Sequence, residues 1–137
     1  MAWKAKRVEY FHATVNGDPD EAFGLLDRLA EQGVNLLALN TVPMGPGSTQ
    51  MTLFPQEPLL LQSFAKHAGL PLIGPHPALL VQGDDELGAL ARIHRLLHRS
   101  NVDVFASSAV TDGKGYYGYV LYVRAGDAEK AAAALAT

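Results

Sequence analysis

The amino-acid sequence predicts an α+β protein built from two copies of one βαββαβ unit. The first observation is a repeat: a shift of 68 residues, half of the 137 in the chain, places Gly45 on Gly113 and Gly47 on Gly115. The second is that strand-like and helix-like patterns follow one another in the same order in both halves. The third is that the repeated glycines fall at the same turn, between two strand-like segments, in both copies.

The elements of the first copy follow from its apolar patterns and its turn residues. In order, they are a strand at 8–15, a helix through Leu29, strands at 36–42 and 49–54, a helix from Pro58, and a short strand at 70–73. Asp18 or Asp20 is expected to cap the first helix at its start. Gly33 and Gly69 end the two helices, because glycine adopts the left-handed conformation at low cost.

The second copy repeats this order but lacks its last strand. Its elements are a strand at 78–82, a helix with Leu87, Leu90, Ile93 and Leu97 as its apolar stripe, strands at 104–110 and 116–123, and a helix at 127–136. Right-handed crossovers place both helices of a copy on one face of an antiparallel sheet, which is the ferredoxin-like plait. We expect repeats at 1–74 and 75–137, with residues 2–6 completing the second sheet.

The strand at 116–123 is apolar or aromatic on both faces. Tyr117 and Tyr119 point one way, whereas Tyr116 and Tyr122 point the other. An apolar patch of this kind is typical of an interface, either between the repeats or in a dimer. The alternative is that tyrosines simply occupy a half-exposed strand.

Composition and charge exclude several classes of protein. Lys and Arg total 11 and Asp and Glu total 14, a net charge of −3, which disfavours nucleic acid because neutralising phosphates needs a basic surface. The absence of cysteine excludes disulfides, thiolate metal sites and cysteine nucleophiles. No apolar run approaches the ~20 residues of a membrane span, and residues 1–7 do not continue into a signal peptide. We therefore expect a cytoplasmic protein without a nucleic-acid or membrane partner.

No motif predicts a catalytic or metal centre. His94 and His98 lie four residues apart on a helix, but Arg95 stands where a zinc protease would need glutamate, so they are interpreted as histidines at the boundary of a solvated helix. His12, His67 and His76 are scattered along the chain, and no nucleophile–base pair can be assigned from the pattern. The sequence therefore predicts no cofactor and no metal.

Residues 80–104 resemble the ACT domain, a small regulatory ligand-binding module with the βαββαβ fold. Members of that family commonly enter their first helix through Pro-Gly-x-Leu-x-x-Ile. Here Gly88 stands at the glycine position and Leu87 at the proline position. They leave the helix through a step like Gly-Ile-Asn-Ile; 33–36 (Gly-Val-Asn-Leu) are close to it, and 102–104 (Val-Asp-Val) form the corresponding step of the second copy. The resemblance covers nearly the whole chain as a tandem pair.

The resemblance implies a site for an amino acid or similar small effector at the interface of paired domains. Its contacts would come from the loop before the first helix and from the start of the second strand of the neighbour. The corresponding residues are Asp84, Asp85, Glu86, Leu87 and Gly88 in the second copy, Asn16, Gly17 and Asp18 in the first, and Asn35 and Asp103 opposite them. Asp20 replaces the glycine in the first loop, so we expect an asymmetric site dominated by the second.

The function implied is that of a non-catalytic regulator or sensor. It would bind an amino acid, form a homodimer and act through a protein partner. Two alternatives stay open, a ligand-free protein-interaction module of the same fold and a small cofactor-free enzyme. The acidic residues of the second loop have an alternative role too, since carboxylates at a helix start complement the helix dipole without any ligand.

Overall fold

The computed structural model describes residues 3–136 and confirms the α+β class and the duplicated plait. The elements are β1 (Trp3–Asn16), α1 (Pro19–Glu31), β2 (Leu36–Pro43), β3 (Ser48–Pro55), α2 (Pro58–Ala68), β4 (Ile73–Asp84), α3 (Ala89–Arg99), β5 (Val104–Thr111), β6 (Tyr116–Val123) and α4 (Ala128–Leu135). A short 3₁₀ turn, Ala125–Asp127, precedes α4.

The chain divides into two compact units. We call Glu9–His76 the central unit, and we call the chain up to Val8 together with the chain from Pro77 onward the terminal unit. The strand order is β2-β3-β1-β4 in the central unit and β1-β4-β6-β5 in the terminal unit, since β1 and β4 each contribute to both. The described start of β1, from Trp3, thus belongs to the sheet that also holds β5 and β6. Ala2, which falls in the predicted completing segment, lies outside the described residues.

The core of the central unit lies between its sheet and the helices α1 and α2. Phe11 of β1 and Met51 and Leu53 of β3 pack there with Leu25 and Leu61 of the helices. Met51 and Leu53 both face this core because alternate residues of a strand point to the same face. The start of α1 is as predicted: the Asp18 side chain accepts a hydrogen bond from the Asp20 amide at 3.1 Å.

The core of the terminal unit combines β4 and β6 with α3 and α4. Its fully buried members include Leu79, Ile93, Leu121 and Leu135, and Trp3 is buried among them. The Trp3 indole donates a hydrogen bond to the Leu135 carbonyl at 3.1 Å, so the start of β1 is tied to the end of α4. On the opposite face of β6, Tyr116 is 57% exposed, while Val120 and Tyr122 are half-buried.

Two predicted boundaries are wrong. The strand expected at 70–73 does not form over residues 70–72; instead the strand expected at 78–82 begins earlier, at Ile73, and continues without a break as β4. Gly74 permits this because its φ is +143° and a Cβ there would lie 2.8 Å from the Tyr10 carbonyl oxygen. Leu87 is not part of the stripe of α3: the helix begins at Ala89, and Leu87 is fully exposed in the turn before it.

Candidate functional site

The predicted loop at 84–88 borders a groove in the terminal unit. The groove lies where β4 ends and the β5–β6 hairpin turns, since Asp84 is paired with Tyr116 and Thr111 with Tyr117. It has a volume of about 650 Å³, and its lining includes Trp3, Lys4, Asp84, Asp112, Tyr116 and Tyr117. A recess of about 200 Å³ adjoins the start of α3 and is lined by Asp85, Glu86, Ala89, Leu90, Ala109, Val110, Thr111 and Tyr117.

Tyr117 lines both cavities and carries the most informative atom of the site. Its side chain is 6% exposed, and its hydroxyl is the one buried side-chain polar atom within residues 3–136 that has no hydrogen-bond partner. Burial raises the pKa of Tyr117; the charge of Arg92 lowers it, and those of Glu86 and Asp84 raise it. The phenol therefore stays protonated at neutral pH, with a hydrogen-bond donor and acceptor that no protein group in this range uses.

The start of α3 is left uncapped by side chains. Gly88 occupies the N-cap position with φ +82°, it makes no side-chain cap, and the first turn of α3 contains no acidic residue. Amide groups at a helix start point outward and carry partial positive charge, which suits a carboxylate. The open N-cap of α3 thus provides an anion-binding feature beside the recess.

The acidic residues before α3 are placed around the cavities and do not cap the helix. Glu86 forms an ion pair with Arg92 at 3.0 Å. The Asp85 amide donates to the Gly115 carbonyl at 2.8 Å, which ties the loop to the β5–β6 hairpin. Asp84 lines the groove with an exposed carboxylate. Carboxylates and the α3 start together supply partners for both an ammonium and a carboxylate group.

The β5–β6 turn forms the other wall of the groove. Asp112 accepts hydrogen bonds from the Lys114 amide at 2.7 Å and from the Tyr116 amide at 3.1 Å. This fixes the hairpin that carries Tyr117. The Arg92 guanidinium lies 5.8 Å from the Trp3 ring centre, a cation–π distance, and so links α3 to the start of β1.

The remaining predicted residues lie elsewhere. Asp18 caps α1, and the Gly17 amide donates to the Gly47 carbonyl at 2.7 Å in the central unit. Its neighbour Asn16 ends β1 and is exposed. Asn35 donates to the Gln56 side chain at 3.0 Å.

Asp103 lies 3.9 Å from Arg124 and precedes β5, whose first residue pairs with the last of β6. Asp84 pairs with the first residue of β6. Asp103 is therefore at the opposite end of its sheet from Asp84, and a single terminal unit does not bring the two together.

Three residues that line the groove, Tyr117, Lys4 and Asp112, were not predicted to belong to the site. Alternation separated Tyr117 from Tyr116 on the two faces of the strand, but the pattern holds no sign that Tyr117 lines a cavity. Lys4 could have been connected to this site through the expected completion of the second sheet by residues 2–6.

The histidines are less scattered than their sequence positions indicate. His12 and His76 have ring centres 5.8 Å apart in the central unit, and His12 shares a 3.1 Å hydrogen bond with Thr52. Burial, and then the charge of nearby His76, lower the pKa of His12. His94 lies 2.6 Å from the Tyr119 hydroxyl, so it contacts the β6 strand.

Residues 3–136 contain neither a clustered metal site nor a membrane-spanning helix. No group of three or more histidine, aspartate or glutamate side chains is arranged to hold a metal ion. No helix in this range is long and apolar enough to cross a membrane.

Comparisons with known proteins identify the fold. No family model and no curated protein sequence matches the chain. Among solved structures, protein BT0572 from Bacteroides thetaiotaomicron matches 96% of this chain and 88% of its own, with 14% identity and a TM-score of 0.79. The ligand-free regulatory subunit of aspartate kinase from Thermus thermophilus matches 98% of this chain and 94% of its own, with 14% identity and a TM-score of 0.66.

The corresponding regulatory subunit from Thermus flavus covers the same shares of the two chains, with 14% identity and a TM-score of 0.57. These likenesses, at low sequence identity, concern the fold. They confirm the resemblance found in the sequence: the chain has the tandem ACT fold.

Proposed function

We propose that this chain is a non-catalytic regulatory protein that binds an amino acid or similar small zwitterion in the groove of the terminal unit. Asp84 and Asp85 would receive the ammonium group, and the start of α3 at Gly88 would receive the carboxylate. Tyr117 would supply a hydrogen bond to a polar group of the ligand. The proposal includes a homodimer and a protein partner that receives the signal.

The observation that carries this proposal is the unpartnered hydroxyl of Tyr117. Leaving a buried polar group without a hydrogen bond costs about 1–3 kcal/mol. Such groups are rare in natural proteins, and each one calls for an explanation such as a functional role. A ligand that bonds to the hydroxyl would remove this cost on binding. The groove volume, about 650 Å³, falls in the range of roughly 300–1,000 Å³ that is typical of small-molecule sites.

The chemistry of the walls favours a zwitterion over a simple anion or cation. Acidic side chains, Asp84 and Asp85, lie beside the cavities, while the uncapped start of α3 and the ammonium of Lys4 provide positive potential. The recess is lined in part by Ala89, Leu90 and Val110, which suits a short aliphatic group. Two of the structural neighbours are described as regulatory subunits of aspartate kinase, which agrees with a regulatory role.

A thermal-shift screen with the proteinogenic amino acids tests this function. A ligand at a hundredfold excess over its Kd should stabilise the protein by about 2.7 kcal/mol. Asp84→Asn should weaken the response, whereas Asp103→Asn, a change of another exposed aspartate in the same unit, should leave it intact. Absence of a shift with every amino acid at millimolar concentration would favour the ligand-free interaction module. Equal responses from both variants would place the site elsewhere.

Light scattering at two protein concentrations tests the homodimer, and a monomer at high concentration would contradict it.

The enzyme alternative would gain support if the protein converted a compound bound in the groove into a product. We assign no nucleophile–base pair among the groove residues. The cytoplasmic location stays a prediction.

A further inference from the structure

The central unit holds an imidazole pair that the proposed effector site does not use. His12 on β1 and His76 on β4 lie with Tyr10 and Phe54 on the sheet face opposite the core that contains Phe11. The ring centres of the two histidines are 5.8 Å apart, and each lies within 5.4 Å of the Tyr10 ring. Strand alternation accounts for this, because His12 is one residue from Phe11 and so faces the other way.

We propose that His12 and His76 together bind one divalent transition-metal ion of the zinc, copper or nickel type. Metal–nitrogen bonds of about 2.0–2.1 Å place the ring centres of two imidazoles that share an ion roughly 5–6 Å apart. The observed separation of 5.8 Å falls in this range without any movement of the strands. Imidazole nitrogen is a preferred ligand of these borderline ions, while magnesium and calcium select oxygen.

Thr52 forms a hydrogen bond with one of the two rings and so restrains its orientation. The Thr52 hydroxyl lies 3.1 Å from Nδ1 of His12, and Thr52 is 7% exposed. With its proton on Nδ1, His12 donates to Thr52 and leaves the lone pair of Nε2 for a metal. Metal-binding histidines generally use their second nitrogen in this way, and such partners orient the ring and increase its basicity.

The backbone around Gly74 sets the position of the second ring. Gly74 passes so near β1 that a Cβ would lie 2.8 Å from the Tyr10 carbonyl oxygen and 3.0 Å from the Phe11 ring. This approach, two residues before His76, brings that histidine beside Tyr10 and His12. Phe54 and Tyr10 are both buried, so the pair lies against an apolar wall.

Two protein ligands leave coordination positions open. Within residues 3–136 no third histidine or carboxylate completes the set. The site is thus an open one, in which water or a small exchangeable donor fills the other positions. Weak, reversible binding follows from this, rather than the permanent binding of a closed structural metal site.

The test is zinc titration of the full-length chain, prepared without an affinity tag, by calorimetry and by NMR of the histidine rings. One zinc ion per chain should bind, and the ring signals of His12 and His76 should shift while those of His67 do not. His12→Gln and His76→Gln should each weaken zinc binding by more than about tenfold, and Thr52→Val by about tenfold. His94→Gln/His98→Gln is the matched control, because it removes a pair at metal-binding spacing on α3.

The NMR measurement uses the unmodified protein, so it remains decisive even where a variant fails to fold. Absence of zinc binding at millimolar concentration would overturn the proposal. So would loss of binding in the His94→Gln/His98→Gln variant with no change in the His12 and His76 signals. Because these residues lie outside the groove of the terminal unit, failure here leaves the effector proposal unaffected.

Discussion

Replacing Tyr117 by phenylalanine should stabilise the protein when no ligand is present. The change removes one hydroxyl that is buried and unpartnered. A buried polar group without a hydrogen bond costs about 1–3 kcal/mol, and the lower end applies here because the Tyr117 side chain lines a groove. We expect the free energy of unfolding to rise by about 1 kcal/mol. For a chain of this length that corresponds to an increase in Tm of roughly 3–5 °C.

Tyr119→Phe is the matched control, because Tyr119 lies two residues along the same strand and is equally buried. Its hydroxyl contacts His94 at 2.6 Å and Ser107 at 3.1 Å. Each lost hydrogen bond should cost about 0.5–1.5 kcal/mol, so this variant should be less stable than the parent protein. The two substitutions remove the same atom and are predicted to have opposite signs.

Urea denaturation followed by circular dichroism measures both effects. Both tyrosines belong to the terminal unit, so they report on the same transition even if the units unfold separately. The m value, the slope of the unfolding free energy against urea concentration, should be unchanged, which would show that the substitution alters stability alone. If Tyr117→Phe lowers the midpoint without ligand, the hydroxyl has a partner and the argument for the site fails.

The same substitution should weaken binding of the effector, although it stabilises the ligand-free protein. Once an amino acid that binds has been found, Tyr117→Phe should weaken its affinity by about tenfold, the value of one hydrogen bond of about 1.4 kcal/mol. Isothermal titration measures this directly. Unchanged affinity would leave the groove as the site but remove Tyr117 from it.

Three further predictions concern the fold. Gly74→Ala should lower the free energy of unfolding by about 1–3 kcal/mol because of its positive φ and its close approach to β1, while Gly24→Ala, with free space inside α1, should raise it by about 0.5–1 kcal/mol in urea melts. Asp18→Ala should cost about 0.5–2 kcal/mol through the lost cap of α1, and Glu57→Ala, which makes no cap bond, should change thermal stability by less than about 0.5 kcal/mol. Burial raises the pKa of Tyr117, so this tyrosine ionises at lower pH in the unfolded chain than in the folded one, and the free energy of unfolding should fall as pH rises above about 10. Urea midpoints compared across pH should fall less steeply in Tyr117→Phe.

The element order could be predicted because duplication repeats the same local rules twice. Glycines at turns and apolar stripes on helices are local signals, and they correctly gave βαββαβ. A break before residue 78 was predicted because Gly74, Pro75 and Pro77 usually interrupt strands, and this prediction is wrong. The structure keeps one strand there, since Gly74 accepts a conformation that other residues rarely adopt.

The candidate site was predictable only in part, for a geometric reason. Asp84 and Gly88 follow each other along one loop, so a sequence motif can include both. Tyr117 reaches that loop through strand register, because Gly83 pairs with Tyr117 across β4 and β6. His12 and His76 are brought together in the same way by neighbouring strands. Contacts made across a sheet leave no trace in local patterns, whereas contacts within a loop do.

Comparison of the two copies explains why the proposed site lies in the terminal unit and not in the central unit. In the central unit the start of α1 is already satisfied, because Asp18 caps it and Asp20 and Glu21 add negative charge to its first turn. These groups would repel a carboxylate. In the terminal unit Gly88, which the 68-residue shift aligns with Asp20, is itself the N-cap of α3, and the start of α3 has neither a side-chain cap nor an acidic first turn. The same backbone thus presents a neutralised helix start in one copy and an open one in the other, which makes the asymmetry of the site a property of the helix starts.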